Sequence, residues 1–235
     1  MKLLVKDIQK NYSELEVLKD CSYEFESGKI YGLLGRNGSG KTTLFNIIYG
    51  DLDYDNGSIE IEENNSVNKI KTKDIGMVFA ENILPEFLTG YEFIKFYKDI
   101  NGSLDDEKTV DEYLDMVNFS QKDRHRIIND YSSGMKSKIS LLTLFISKPK
   151  VILLDEPLTS VDVVVGQQIK ALLRALKKEH IVIVSTHMLE LATSLCDDIV
   201  LLNNGKLSEL DKHKKEEENF EAFIIEILKD GGNNE

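Results

Sequence analysis

The feature that most constrains the fold of this chain is a glycine-rich loop between a predicted strand and a predicted helix. The loop runs from Gly35 to Thr43, after an apolar run at Lys29 to Leu34 and before a helix-like run at Leu44 to Tyr49. Its glycines permit a tight turn in which backbone N–H groups and a helix N-terminus face a polyanion. This order is typical of a nucleotide-binding α/β core, so we predict binding of ATP or GTP.

The side chains of this loop have separate predicted roles. Lys41 would neutralise the terminal phosphates, and the hydroxyl of Thr42 would ligate Mg²⁺. A glycine-rich turn that binds nothing is the weaker alternative, because glycines, lysine and threonine are all in register after a strand. The predicted nucleotide-binding residues here are Asn37, Gly38, Ser39, Gly40, Lys41, Thr42 and Thr43.

Charge and hydropathy limit the partners of the chain. Its 29 Lys and Arg against 41 Asp and Glu give a net charge of -12, which argues against non-specific binding of nucleic acid. Charges interrupt Met1 to Asp7 too early for a secretory signal, and apolar runs such as Val151 to Leu154 are too short to span a bilayer. We expect a cytosolic chain, at most peripheral to a membrane, and a single domain over 1–235.

The cysteines and most histidines predict no chemistry. Cys21 and Cys196 are far apart in sequence and lack metal-ligand spacing, so we expect both to be reduced and packed as small hydrophobic residues. His125, His180 and His213 lie among charged residues. We predict that these three are solvated surface groups.

Hydrophobic periodicity predicts an α/β fold with a mostly parallel sheet, an antiparallel β subdomain and an inserted helical subdomain at about 84–148. Short strands separated by turns fill the first part, and helices alternate with apolar strands after the insertion. The predicted strands are Leu3 to Ile8, Ser22 to Glu26, Lys29 to Leu34, Ser58 to Ile61, Val151 to Leu154, Ile181 to Ser185 and Ile199 to Leu202. The predicted helices are Tyr91 to Tyr97, Tyr113 to Val117, Ile139 to Ile146, Val163 to Lys178 and Met188 to Leu195.

The C-terminal part, about 211–235, is predicted to carry a helix and a tail. A charged run at Asp211 to Glu218 precedes an amphipathic stretch at Phe220 to Leu228. That stretch is either a packed terminal helix or a docking helix for a partner. We expect the final residues, 230–235, to be disordered.

Two acids follow a predicted buried strand. Asp155 and Glu156 come directly after Val151 to Leu154, at the end of a parallel strand where open α/β sheets bind ligands. Asp155 would hold Mg²⁺ through its water shell, and Glu156 would polarise the water that attacks the γ-phosphate. A surface pair of acids is the alternative. The next strand places His187 at the same sheet edge, where it could contact the γ-phosphate or be a structural histidine.

Over residues 1–210 the motifs resemble the nucleotide-binding subunit of an ATP-binding cassette (ABC) transporter. The decisive motif is Tyr131-Ser132-Ser133-Gly134-Met135-Lys136, which resembles the ABC signature and opens a predicted helix. The resemblance implies that the signature residues Ser132, Ser133, Gly134 and Met135 act in trans on ATP held by a second cassette. A serine hydroxyl and a helix N-terminus both favour an anion.

The resemblance implies roles for five further residues. Tyr12 resembles the aromatic residue that stacks on adenine, with Val17 beneath it. Ser160-Val161-Asp162 resembles the loop that joins two active sites, and Asp162 would be its catalytic acid.

The chain departs from the family pattern after Ile75 to Val78. The family usually has a glutamine there that contacts Mg²⁺ or the attacking water, whereas this chain has Ala80 followed by Glu81. Either Glu81 serves as a substitute metal ligand or water completes the metal shell. Lys138 also replaces a frequent arginine, which keeps the charge but loses the planar fork.

The resemblance implies an ATPase that dimerises on Mg-ATP as a homo- or heterodimer and powers a separate membrane permease from the cytoplasmic face. We predict export of a peptide, drug or lipid. A soluble ABC ATPase of translation, DNA repair or cofactor assembly is the alternative function, and a cassette that binds ATP structurally is a third. A coupling helix would dock around Asn82 to Tyr91, on Pro85, Phe87 and Leu88, although the last two residues could simply pack the lobe.

Overall fold

The computed structural model describes residues 1–81, 83–103, 106–159 and 161–210, together with Ile224. Several sequence-based predictions fall on other residues. Asn82, Ser160 and His213 lie outside the described residues, as do the C-terminal segments at 211–223 and 225–235.

A six-stranded sheet forms the centre of the molecule, in the strand order β10-β9-β3-β8-β7-β6. All neighbours pair in parallel except β10, which is antiparallel to β9. Strands β3, β7 and β8 are buried along their whole length, as expected for apolar strands covered on both faces. The predicted parallel sheet is confirmed. Its strands are β3 (Ile30–Leu34), β6 (Ile75–Val78), β7 (Val151–Asp155), β8 (Ile181–Thr186), β9 (Asp198–Asn203) and β10 (Lys206–Glu209).

Three helices accompany the strands of this sheet. Helix α1 (Lys41–Tyr49) follows the glycine-rich loop, α6 (Val163–Leu176) follows β7, and α7 (Leu189–Leu195) follows β8. The side chain of Asp162 begins α6 by accepting hydrogen bonds from two backbone N–H groups of the first turn. The alternation of strands and helices therefore follows the sequence prediction.

A second, antiparallel sheet packs beside this core in the order β2-β1-β4-β5. Its residues Leu3 and Phe25 share one hydrophobic cluster with Leu33 of β3 and Phe45 of α1. The predicted antiparallel part is therefore confirmed, and its apolar face covers α1. Its strands are β1 (Lys2–Tyr12), β2 (Leu15–Glu26), β4 (Asn56–Glu63) and β5 (Ser66–Lys69).

The segment between β6 and β7 is helical and has a hydrophobic core of its own. Buried Phe93, Tyr113 and Ile139 belong to this core. Each of the four α-helices described in this segment is preceded by a serine or threonine whose side chain accepts a hydrogen bond from the first turn. We call this segment the helical lobe, and its helices are α2 (Gly90–Asn101), α3 (Val110–Met116), α4 (Gln121–Arg124) and α5 (Ser133–Ser147).

One histidine prediction is wrong, and the predicted burial of both cysteines is confirmed. His180 is buried rather than solvated, and its Nδ1 contacts the carbonyl oxygen of Pro149, because β8 starts at the next residue and carries it into the sheet. His125 is exposed as predicted. Cys21 and Cys196 are buried and unbridged, and burial raises the pKa of the Cys21 thiol to about 11. In the described ranges, every helix is too short or too polar to cross a bilayer.

Candidate active site

The glycine-rich loop joins β3 to α1 and has the backbone that its sequence predicts. Gly38 and Gly40 have φ angles of 80° and 100°, in the left-handed region that favours glycine. A Cβ on Gly40 would lie 3.0 Å from Cγ1 of Val17, so a side chain there would crowd β2. The loop therefore keeps its backbone accessible beside the start of α1.

Lys41 is buried at the first position of α1. Its Nζ donates hydrogen bonds to the carbonyl oxygens of Gly35 and Arg36, at 2.9 and 3.1 Å. Burial lowers the pKa of Lys41, and the nearby carboxylates of Glu156 and Asp155 oppose that shift. A polyanion in the loop would favour the charged ammonium, as the sequence prediction requires.

Thr42, Asp155 and Ser185 form a bonded group where β7 and β8 end. The hydroxyl of Thr42 donates to Oδ2 of Asp155 at 2.9 Å, and the hydroxyl of Ser185 donates to Oδ1. Hydroxyl and carboxylate oxygens are the donors that Mg²⁺ prefers, so this pair fits the predicted metal. Among the described residues, no group of three or more His, Cys, Asp or Glu side chains is placed so that it could hold a metal ion.

Glu156 lies directly after β7 in a left-handed backbone conformation, with φ of 48°. Such a conformation is costly for a residue other than glycine and is often found at functional sites. Its Oε1 is 2.9 Å from Nδ1 of His187, and its Oε2 accepts a hydrogen bond from the hydroxyl of Thr159 at 3.3 Å. The backbone N–H of Glu156 also contacts Ser185. The structure thus brings the predicted acid and histidine together.

Two adjoining cavities surround these groups. One, of about 310 Å³, is lined by the loop residues and by Val17, Asp155 and Glu156. The other, of about 400 Å³, lies between Glu156 and His187 on one side and the start of α5 on the other. Ala80 lines both cavities. Glu81 is exposed and is not among the residues that line these two cavities, and its role as a metal ligand stays a prediction.

The signature motif opens α5, as predicted. Ser132 is exposed, and its hydroxyl accepts a hydrogen bond from the backbone N–H of Met135 at 3.3 Å. Gly134 is buried, and a Cβ there would lie 3.1 Å from Cγ1 of Val165 on α6. Ser133 lines the 400 Å³ cavity. The signature therefore begins a helix, with Ser132 exposed at the cap position and Gly134 packed against α6.

Two further predicted site residues, Tyr12 and Asp162, are not among the residues that line these two cavities. Tyr12 is 46% exposed and lines neither of the two cavities just described. Asp162 caps α6 with hydrogen bonds from the backbone N–H groups of Val164 and Val165, at 2.9 and 3.0 Å. Its catalytic role, and the stacking role of Tyr12, stay predictions.

Sequence reasoning missed Ser185 and Thr159, which contact the two predicted acids. A signal for Ser185 existed, because it is a polar residue at the end of the apolar run Ile181–Val184. Thr159 had no comparable signal, since its contact with Glu156 depends on the turn after β7.

Comparisons with known proteins agree with this arrangement. The family model described as ABC transporter matches residues 18–159. The uncharacterized ABC transporter ATP-binding protein YxlF of Bacillus subtilis (strain 168) is 30% identical over 221 residues, which are 92% of this chain and 74% of YxlF. The tungstate uptake system ATP-binding protein TupC of Peptoclostridium acidaminophilum is 34% identical over 219 residues, covering 90% of this chain and 99% of TupC.

A solved structure has the same fold. It is a dimeric ATP-binding cassette in a post-hydrolysis state, bound to ADP and Pi. The two chains superpose with a TM-score of 0.75 at 25% identity, over 89% of this chain and 98% of the other. Both sheets and the helical lobe therefore form an arrangement known from ATP-binding cassettes.

Proposed function

The chain belongs to the ABC transporter family as an ATP-binding, ATP-hydrolysing subunit, and we propose that it dimerises on Mg-ATP to drive transport through a separate membrane permease. The observation that carries this proposal is the bonded set at the end of the parallel sheet. Lys41 and Thr42 of the loop lie beside Asp155 and Glu156, and Glu156 contacts His187. Hydrolysis of a nucleoside triphosphate requires these groups: a lysine at the phosphates, ligands for Mg²⁺ and an acid that polarises the attacking water.

The loop binds the phosphates of ATP through its backbone N–H groups and through Lys41. The ammonium group already lies in the loop, held by two carbonyl oxygens, so little rearrangement precedes binding. We propose that Thr42 and Asp155 would hold Mg²⁺, because they lie together at the end of the loop and of β7. When bound, Mg²⁺ supplies charge neutralisation at the phosphate oxygens.

Glu156 is the proposed acceptor of the proton of the attacking water. Its carboxylate accepts a hydrogen bond from that water, whose oxygen forms a bond to the γ-phosphorus while the bond to the β-phosphate oxygen breaks. ADP and inorganic phosphate leave, and the proton passes to Glu156 and then to solvent. His187 and Thr159 each contact one oxygen of the carboxylate and fix its orientation.

The dimer is proposed because one chain presents only part of the site. Ser132 and Gly134 would contact the γ-phosphate bound by the second cassette, since a helix N-terminus and a serine hydroxyl stabilise an anion. The dimeric state of the cassette of similar fold supports this proposal. The partner cassette is either an identical or a different subunit.

Export of a peptide, drug or lipid stays a prediction without support from the relatives. TupC is named for tungstate uptake, whereas the name of YxlF gives no substrate. We therefore propose transport through a permease at the cytoplasmic face of the membrane without assigning its direction. Ile83 and Phe87, both within the predicted docking segment Asn82 to Tyr91, are 78% and 80% exposed, which favours a permease contact there.

Copurification from membranes tests the proposed function. The chain, tagged at native abundance, would be isolated from detergent-solubilised membranes, and stoichiometric partners identified by mass spectrometry. We expect a polytopic membrane protein. Recovery of ribosomal, DNA-associated or only soluble partners would instead support the alternative, a soluble ABC ATPase.

A further inference from the structure

The first residue of the signature motif makes contacts that none of the roles above requires. Tyr131 is buried, and its ring packs 5.2 Å from that of Phe119 in the core of the helical lobe. Its hydroxyl accepts a hydrogen bond from the backbone N–H of Gly90 at 3.1 Å and donates one to the carbonyl oxygen of Asp123 at 2.7 Å. One phenol therefore connects the start of α2 with the end of α4.

The first of these hydrogen bonds satisfies a group that would otherwise be costly. Gly90 is the first residue of α2, and the first N–H groups of a helix have no partner within it. A buried N–H without a partner is destabilising, so the hydroxyl of Tyr131 completes the helix start. The fit is tight, because a Cβ on Gly90 would lie 2.4 Å from the hydroxyl oxygen.

Further contacts join the segment that precedes α2 to the segment that precedes α5 and to the first turn of α5. The backbone N–H of Ile128 donates to the carbonyl oxygen of Leu88 at 2.8 Å, and that of Asn129 donates to Glu86 at 3.1 Å. Nζ of Lys136, in the first turn of α5, lies 2.7 Å from the carboxylate of Glu86. The segment that enters α2 and the segment that enters α5 are thus fixed to one another.

We infer that the hydroxyl of Tyr131 is a positioning group for the signature. Ser132 is the next residue, and it begins α5 by capping it, so its place follows from the place of the Tyr131 ring. Rotation of that ring would move Ser132 and Gly134 relative to α2 without changing the phosphate loop in the other part of the chain. The inference rests on the proposed function, in which these residues contact nucleotide on a second subunit.

Removal of the hydroxyl tests this inference in a background that accumulates dimer. Tyr131→Phe would be combined with Glu156→Gln, and ATP-dependent dimerisation measured by analytical ultracentrifugation. Tyr113→Phe is the matched control, because Tyr113 is buried in the same lobe and its hydroxyl bonds the carboxylate of Asp106. Binding of a fluorescent ATP analogue at low protein concentration reports on the phosphate loop alone. Thermal unfolding checks that each variant folds.

We expect Tyr131→Phe to raise the ATP concentration for half-maximal dimerisation about tenfold, which is the loss of roughly one hydrogen bond. Analogue binding should stay within about twofold of the parent, and Tyr113→Phe should dimerise like the parent. If Tyr131→Phe does not fold, Gly90→Ala, which displaces the phenol but keeps its hydroxyl, should give the same defect.

Three outcomes would overturn a proposal, and they are distinguishable. If the Glu156→Gln parent does not dimerise with ATP, the proposed function fails. If the parent dimerises and Tyr131→Phe dimerises equally well, only the inference about Tyr131 fails. If both tyrosine variants weaken dimerisation to the same extent, the effect is a general loss of lobe stability and the positioning role is wrong.

Discussion

The phosphate-binding end of the parallel sheet and the start of α5 differ in how far one chain completes their chemistry. At the sheet, Thr42 bonds Asp155, and Glu156 bonds His187. At α5, the hydroxyl of Ser132 is exposed and caps its own helix. The groups of the first region already contact one another in one chain, whereas those of the second would, under the proposed function, act on nucleotide held by a second subunit. On the proposed function, this division predicts that hydrolysis depends on closure of the dimer.

The largest expected effect is on the hydrolysis rate, for a substitution at the phosphate-binding end of the parallel sheet. Glu156→Gln keeps the shape of the side chain but removes the acceptor of the proton, so we expect hydrolysis to fall by about 100-fold or more. ATP should remain bound and dimers should accumulate. Phosphate release and ultracentrifugation measure both effects, and Glu179→Gln, on an exposed turn, is the control. Hydrolysis within a few-fold of the parent would refute the role of Glu156.

The next largest effect is expected at Ser132, where a role in hydrolysis can be distinguished from the role of its side chain as a helix cap. Ser132→Ala should lower the rate at saturating ATP about 10- to 100-fold, because it removes a hydroxyl proposed to contact the γ-phosphate. Thr109→Ala is the control, since Thr109 caps α3 in the same lobe. Each variant should lose about 1 kcal/mol of stability through its missing cap. Equal rates for the two variants would contradict a functional role for Ser132.

A smaller effect is expected where one hydroxyl supports both acids. Ser185 donates to Asp155 and accepts from the backbone N–H of Glu156. Ser185→Ala should lower the free energy of unfolding by about 1–3 kcal/mol and raise the Mg²⁺ concentration needed for hydrolysis. Ser194→Ala, at an exposed hydroxyl bonded to Lys170, should change stability by less than about 0.5 kcal/mol. A wild-type Mg²⁺ requirement would show that Ser185 does not support the metal site.

The smallest expected effect is an increase in the ATPase rate on substitution of Ala80. Ala80 lines both cavities, so a glutamine there could reach the water or the metal, and we expect Ala80→Gln to raise the ATPase rate a few-fold. Glu81→Gln distinguishes the alternative, because a lowered rate would mean that Glu81 already provides the missing oxygen. An unchanged or lower rate in Ala80→Gln would show that the alanine is no handicap.

The two regions also differ in how well the sequence predicted them. Strands β7 and β8 were placed almost to the residue, because uninterrupted apolar runs have few alternatives to a buried parallel strand. Strand β5 was missed, since all four of its residues are exposed and give no hydrophobic pattern. Strand β2 was predicted only from Ser22, because charged residues and a positive φ at Asp20 interrupt its first half.

The candidate site was predictable where local motifs define it and not where distant segments meet. The loop and the two acids follow from strand, turn and helix signals within a few residues. By contrast, the hydrogen bond between Tyr131 and Gly90 joins residues 41 positions apart, and burial of His180 depends on contact with Pro149. Such contacts arise from packing, for which the sequence offers no periodic signal.

Cross-linking between two singly substituted chains tests most directly the claim that the two regions meet across a dimer. Asn37→Cys and Ser132→Cys use exposed positions in a chain whose own cysteines are both buried, and each would carry Glu156→Gln. The two variants would be mixed with a short thiol cross-linker, with and without Mg-ATP. We predict that Mg-ATP strongly increases cross-linked dimers containing one chain of each kind. A mixed yield that Mg-ATP leaves unchanged would contradict a site completed in trans.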